Sequence, residues 1–327
     1  MRSNGTTTRA ALEITYDEAG TAAGLPSRLF AKCTASVAQR LMLGLGGLID
    51  AEPCFYTHVR PTLEIEAPIG YFGAVDPRSW RSIVLTEDVT RTRGALFWQP
   101  SAAITSEQTE DLLANAAAWH ATHWDSPRLE AWGWLKTPAD QMRLIDSLLA
   151  LANRTRAGVE RARSVIPAGL RRRQGDIHDG MRRSMQIMSR GPRTYLHGDL
   201  HIANTYSTQK GTMGIADWQV GLKGSWAHDV AYLIITALAV EDRRRFERDL
   251  LDIYLERLAA AGGGTPSRQA AWTAYRQATF YPYFAWVYTI GRSRLQPSFQ
   301  PEEIGLTMIE RLAAAIDDLD SLGAVGL

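Results

Sequence analysis

His197-Gly198-Asp199-Leu200-His201-Ile202-Ala203-Asn204, followed by Asp217-Trp218-Gln219, is the stretch that decides how this chain is read. An aspartate and an asparagine stand five apart on one loop, and a second aspartate follows thirteen residues after the asparagine. Phosphoryl-transfer sites use this spacing: one Asp receives the proton of the attacking hydroxyl, while the Asn and the second Asp hold magnesium on nucleotide phosphates. Between them, Thr205 to Gln209 and Met213 to Ala216 have the pattern of two short strands, with Gln209-Lys210-Gly211-Thr212 as their turn. Such a hairpin brings Asn204 and Asp217 side by side at its open end. A lone Asp or Asn in a loop is usually a turn former bonding its own backbone. The whole string is much harder to produce by turn chemistry alone, so Asp199 is read as the catalytic carboxylate and Asn204 with Asp217 as metal ligands.

On these residues the chain resembles the aminoglycoside phosphotransferase and choline kinase superfamily, whose loop reads H-G-D-x-x-x-x-N. Asp217-Trp218-Gln219 and the later Gly224-Ser225-Trp226-Ala227-His228-Asp229-Val230-Ala231-Tyr232-Leu233 are most similar to its ecdysteroid kinase-like branch. The resemblance runs from about Gly5 to Trp286. It implies an α+β, two-lobed protein-kinase-like fold, with a small lobe of antiparallel sheet plus helix and a larger, mainly helical lobe. It also implies ATP and magnesium as cofactors, and a small-molecule hydroxyl as acceptor.

Composition sets the outer limits. At 327 residues, 45% hydrophobic and 22% charged, the chain is that of a globular protein with ample length for a core. Thirty-six basic against 35 acidic residues leave a formal charge of +1, which announces no nucleic-acid partner. Cys33 and Cys54 cannot make a disulfide framework. No signal peptide is visible after Met1, and the longest apolar run, Val230 to Val240, is too short to span a bilayer. A cytoplasmic enzyme, with no membrane partner, is the expectation.

Only four lysines are present, and Lys32 lies within a strand pattern over Arg28 to Cys33. Residues two apart on a strand share a face, which groups Arg28, Phe30 and Lys32. An exposed strand lysine has the same pattern. The resemblance adds a Leu-Phe-x-Lys setting in which Lys32 reaches the phosphates and Phe30 lies beneath the adenine. Such a lysine needs an acid from the neighbouring helix. Glu52 fits the family's Glu-x-x-Phe-Tyr pattern in Glu52-Pro53-Cys54-Phe55-Tyr56, and Pro53 restricts it to a helix's first turn. Glu64 and Glu66 are the competing acids, in a strand-like stretch that reads as solvated.

An earlier strand is expected over Ala11 to Tyr16, turned by Asp17-Glu18-Ala19-Gly20. Ile83 to Thr86 reads as the last strand of the small lobe, leading into a hinge at Glu87-Asp88-Val89 that meets adenine through backbone groups. The lobes are expected to divide at residues 1–92 and 93–327. The family usually begins further upstream, so Gly5 is left as the one glycine for a phosphate loop, with no first strand visible before it.

Beyond the hinge the pattern turns helical, over Glu107 to His123, Gln141 to Ala152, Leu170 to Met188 and Val230 to Ala239. Arg171-Arg172-Arg173 reads as a solvated face, and His120 as a core residue. Asp229 is placed to cap a helix, and the resemblance adds that it braces the catalytic loop. His201 is read as orienting the loop backbone. Magnesium prefers oxygen ligands, which sets His201 apart from the metal. Trp272, Tyr275, Phe280, Tyr281, Tyr283, Phe284, Trp286 and Tyr288 crowd the region of Pro282, where a helix break is expected, and Trp272 to Gln296 contains no acid. A polycationic acceptor would require acids there, so a neutral, partly apolar alcohol is the expected acceptor. An aminoglycoside-type antibiotic kinase and a catalytically silent nucleotide- or metabolite-binding relative are the other readings.

Overall fold

The structure, a computed structural model, describes residues 2–4, 7–149, 151–292 and 301–327. It is α+β, with a small antiparallel-sheet lobe beside a larger helical region. Five strands form the small sheet: β1 (Arg2–Asn4), β2 (Thr7–Glu13), β3 (Arg28–Cys33), β4 (Gly70–Asp76) and β5 (Arg81–Glu87), in the order β1-β2-β3-β5-β4. β3 falls where its pattern puts it and is central, with Lys32 opposite Arg9 on β2 and Val84 on β5.

Two expectations for this lobe are corrected. A first strand does exist, since β1 pairs with β2 from Arg2↔Arg9 to Asn4↔Thr7; Gly5, between them, lies outside the described residues. The next strand starts at Thr7 instead of Ala11. After β2 the chain forms a short helix, Glu18–Ala22, in which Asp17 accepts the Gly20 N–H at 2.9 Å. An aspartate before small residues serves an N-cap as well as a turn.

The sheet carries the helix Val37–Leu45, started by a reciprocal Ser36–Gln39 capping box, and then the short helix Ala51–Cys54. Pro53 sits in that helix's first turn, where its missing N–H costs nothing. Glu64 and Glu66 lie on a loop, not a strand. The Arg60 guanidinium collects the carbonyls of Leu63, Ile65 and Ala67, and its Nε that of Pro68. With those acceptors satisfied by one side chain, the segment needs no strand partner.

In the helical region, Ala227–Ala237 is buried on every side, apolar for the most part and with His228, Asp229 and Thr236 buried among its apolar residues. Ser106–Thr122, capped by Thr105, packs against Val240–Ala260. Further strands lie beyond the sheet in sequence: β6 (Leu96–Phe97), β7 (Thr194–Leu196), β8 (Thr205–Ser207), β9 (Met213–Ile215) and β10 (Leu222–Gly224). The expected helix over 141–152 is helical over Pro138–Leu149 and Leu151–Arg161, with Ala150 outside the described residues; that over 170–188 divides at Arg173. Pro282 breaks nothing, because the helix Phe280–Ile290 starts just before it. Among the described residues no helix is long and apolar enough to cross a membrane.

Candidate active site

β7 delivers the chain to the His197–Asn204 loop, whose backbone is set by buried partners. Gly198 has φ +80, and a Cβ there would stand 2.1 Å from the Val220 carbonyl oxygen, so only glycine fits. Asp229 does not cap its helix, which begins at Ala227 with Trp226 in the cap position. Its fully buried carboxylate instead accepts the N–H groups of His197 at 2.7 Å and Gly198 at 2.9 Å. His120, also fully buried, sits 3.4 Å behind it and bonds Tyr254 Oη at 2.8 Å. Burial alone would raise the Asp229 carboxyl, but the hydrogen bond and charge of His120, with His228 and His197, hold it below the usual carboxylate range.

The loop histidines work as struts. His197 Nδ1 accepts the Asp199 N–H at 3.2 Å, which leaves Nε2–H to donate to the Ala216 carbonyl at 3.0 Å. That one ring ties the His197–Asn204 loop to the hairpin. His201 Nδ1 accepts the Ala203 N–H at 3.2 Å, so its Nε2 carries the proton and stands 3.6 Å from Asp199 Oδ2. His201 thus orients the backbone, as expected, and faces Asp199 as well. Burial pushes Asp199 up, and His201 and His197 together bring it below its ordinary value.

The hairpin forms, though each strand is shorter than its pattern. β8 and β9 pair with Thr205 opposite Ile215, and the Ala216 N–H donates to the Asn204 carbonyl at 2.8 Å. Asn204 and Asp217 therefore emerge together at the open end. The Asn204 amide nitrogen donates to the Asp199 carbonyl at 2.8 Å and its Oδ2 at 3.4 Å, which leaves Oδ1 as the hard donor. Asp217 adopts φ +66, a conformation that aspartate tolerates better than most residues.

Lys32 enters from β3. Its Nζ lies 2.8 Å from Glu52 Oε2 and 2.6 Å from Asp217 Oδ1. Arg9, across the sheet, takes the other oxygen of Asp217 at 3.1 Å. Burial opposes the Lys32 charge, yet Asp217 and Glu52 outweigh it and hold the ammonium above its ordinary range. For Asp217 burial is again outweighed, by Lys32 and then Arg9, and its carboxyl is pushed down to about 2. Phe30 is half-buried on the Lys32 face.

At the expected hinge, side chains are occupied with structure. Glu87 gives its N–H to the Ile69 carbonyl at 2.8 Å and pairs its carboxylate with Arg93 and Thr92. Arg93 also bonds Glu66, which accepts the Tyr206 hydroxyl of β8 at 2.9 Å. Val89 is buried with Ala95, Tyr206 and Ala216. Neither the Glu66–Arg93 pair nor Arg9 was visible in the sequence pattern.

Near Asp199 the walls are aromatic. The His201 ring lies 5.6 Å from Tyr232 and 5.4 Å from Trp286, whose Nε1 donates to Tyr232 Oη at 3.0 Å. The Tyr281 ring lies 4.7 Å from that of His228, tilted by 40°, and Asp199 is among the charges acting on Tyr232 and Tyr281.

Oxygen donors of this kind fit magnesium, which takes one or two protein ligands and completes its shell from water and phosphate. The described residues contain no cluster of three or more His, Cys, Asp or Glu that could hold a metal ion. A site of one carboxylate and one amide oxygen is consistent with that.

The family model for the ecdysteroid kinase-like family matches residues 141–262, the span holding the His197–Asn204 loop, the hairpin and the helix that carries Asp229. This bears out the resemblance read from the sequence. No curated protein matches the chain. Among solved structures, the amicoumacin kinase hAmiN, in complex with AMP-PNP, Ca2+ and Ami, is similar with TM-score 0.54 and 12% identity, over 97% of this chain and 87% of that one. A Ralstonia eutropha JMP134 protein named as an aminoglycoside phosphotransferase has TM-score 0.50 and 11% identity, over 90% and 86%. At these identities the likeness speaks for the fold.

Proposed function

We propose that this chain, a relative of small-molecule phosphotransferases, moves the terminal phosphoryl of ATP to a hydroxyl of a small, neutral and partly apolar molecule in the cytoplasm. The observation that carries the reading is Lys32, an ammonium from the small sheet held between Glu52 and Asp217. A buried charge so paired is costly to build unless it positions something. Here it stands beside the hairpin end, where phosphates would lie. The lobes divide between Thr92 and Arg93, Glu87 to Val89 meet the adenine through the backbone groups not already spent on Ile69, Arg91, Thr92, Arg93 and Ala95, and Phe30 packs against it. Gly5 belongs to the loop over the phosphates.

In this reading Asp199 orients the acceptor hydroxyl and takes its proton as the new O–P bond forms and the bond to the departing ADP oxygen breaks. Transfer of this kind is loose, so positioning and charge stabilisation do most of the work. His201 and Asn204 fix the carboxylate, and Asp229 fixes the loop beneath it. Magnesium, held by Asn204 Oδ1 and Asp217, would offset charge on the phosphates. Half-buried Tyr281, backed by the buried Tyr232 and Trp286, makes this side aromatic and brings no acid, which suits an alcohol better than a polycation.

The test is ADP release from Mg·ATP against a library of hydroxylated metabolites, with nucleotide binding followed separately. Turnover with a neutral alcohol, lost in Asp217→Asn, supports the proposal. Turnover only with aminoglycosides would replace its acceptor class. Tight nucleotide binding without turnover on any acceptor would make the chain a silent binder.

A further inference from the structure

Asp217 has both carboxylate oxygens taken, Oδ1 by Lys32 at 2.6 Å and Oδ2 by Arg9 at 3.1 Å. Arg9 and Lys32 are directly opposed on β2 and β3. The two cations differ in everything else. Lys32 is 7% exposed and keeps a second acid, Glu52, whatever happens to Asp217. Arg9 has a side chain 42% exposed, and Asp217 is its one acidic partner among the described residues.

A divalent cation arriving at Asp217 would meet a carboxylate already covered by two positive charges. One of them has to give way, and the geometry selects Arg9. Its long stem is partly in water, its bond is the longer, and no buried acid is stranded when it leaves. Freed from Asp217, the guanidinium remains anchored through β2. A planar fork with several N–H donors is suited to two phosphate oxygens at once.

We infer that Arg9 is an exchangeable cation. It covers Asp217 in the metal-free protein and turns to the phosphates of a nucleoside triphosphate once a divalent ion takes that carboxylate. This rests on the phosphotransferase reading above and adds a ligand contact for a residue outside the motifs. Arg9 then contributes to affinity through phosphate only, and it opposes the metal when no nucleotide is present.

Calorimetric titrations of wild type, Arg9→Gln and Arg9→Lys with Mg·ATP, with adenosine, and with Mg2+ alone test it. Arg9→Gln is expected to weaken Mg·ATP by about tenfold or more, the worth of a charged hydrogen-bond pair. Adenosine should bind within about twofold of wild type, Mg2+ alone should bind more tightly, and Arg9→Lys should recover part of the Mg·ATP loss. Equal Mg·ATP affinity in wild type and Arg9→Gln overturns the inference while leaving the phosphotransferase reading intact. So does a parallel loss of adenosine binding, which marks a structural role. Wild-type protein that binds neither nucleotide nor nucleoside sinks both.

Discussion

The ammonium of Lys32 stands 2.6 Å from Oδ1 of Asp217, joining a strand of the small sheet to the end of the hairpin 185 residues later. Glu52 holds the same ammonium from the other side at 2.8 Å. Lys32→Met should therefore abolish phosphoryl transfer and also strand Glu52 as a buried, unpaired acid. Removing one partner of a buried pair costs about 3–5 kcal/mol. The double change Lys32→Met with Glu52→Leu should recover most of that stability and none of the activity. Denaturant unfolding beside an ADP-release assay separates the two effects. Normal turnover in Lys32→Met would sink the site assignment.

Asp199→Asn should lower kcat by roughly two to four orders of magnitude, the range for loss of acid–base help. Nucleotide affinity should change little, because the carboxylate's partners, Asn204 and His201, lie on its own loop. Asparagine keeps the shape and one acceptor oxygen, so the fold should survive. Single-turnover kinetics combined with nucleotide titration reads both quantities. A large loss of nucleotide binding would show that Asp199 holds the metal instead.

Local spacing made much of this site legible, and long-range pairing hid the rest. Asp199, Asn204 and Asp217 could be placed together because a short hairpin is a local object with a turn signal between two strands. Strand alternation left Lys32 indistinguishable from an exposed lysine, so Lys32 and Glu52 were legible only through the family patterns around them, and Pro53 confined Glu52 to a first helical turn. Arg9 was not, since alternation reports a face and never the acid met 208 residues away. Glu66 alternates like a strand residue, yet Arg60 takes the surrounding carbonyls and leaves a loop. Asp229 carries the residue type of a helix cap, while its carboxylate is spent 31 and 32 residues back on the catalytic loop. In each case a charged side chain answered to a tertiary partner that no local pattern encodes.

That use of Asp229 gives a third prediction. Asparagine in its place offers one acceptor oxygen where two N–H donors arrive, and turns an NH2 group on the other donor. A buried donor left unpaired costs about 1–3 kcal/mol. Asp229→Asn should lose about that much stability and lower kcat by about tenfold or more as the loop shifts. The KM for ATP should stay nearly constant, since the change lies behind the loop. Hydrogen exchange at the His197 and Gly198 amides gives an independent readout. Unchanged protection of both amides would count against the brace.

The last prediction concerns acid stability. His123 is 1% exposed, packs against Trp132 and Tyr195, and neither ring nitrogen has a hydrogen-bond partner. Burial, helped by Arg128 and His120, lowers its pKa to about 4. The unfolded chain takes up that proton near pH 6.5, so between about 6.5 and 4 the unfolded state binds more protons than the folded one. Stability is thus full above pH 6.5 and falls as pH drops through the window, by about 1.4 kcal/mol per unit for this group. Burial lowers His120, His197 and His228 as well, so the wild-type slope contains several such contributions. His123→Phe keeps an aromatic ring in the same contacts and removes two unpaired nitrogens. It should be at least as stable as wild type at pH 8 and about 2 kcal/mol more stable at pH 5, the integral of one group over that interval. Denaturant unfolding at pH 8, 6.5 and 5 measures the difference. Parallel pH profiles for the two proteins would mean that His123 is already hydrogen-bonded or hydrated in the fold.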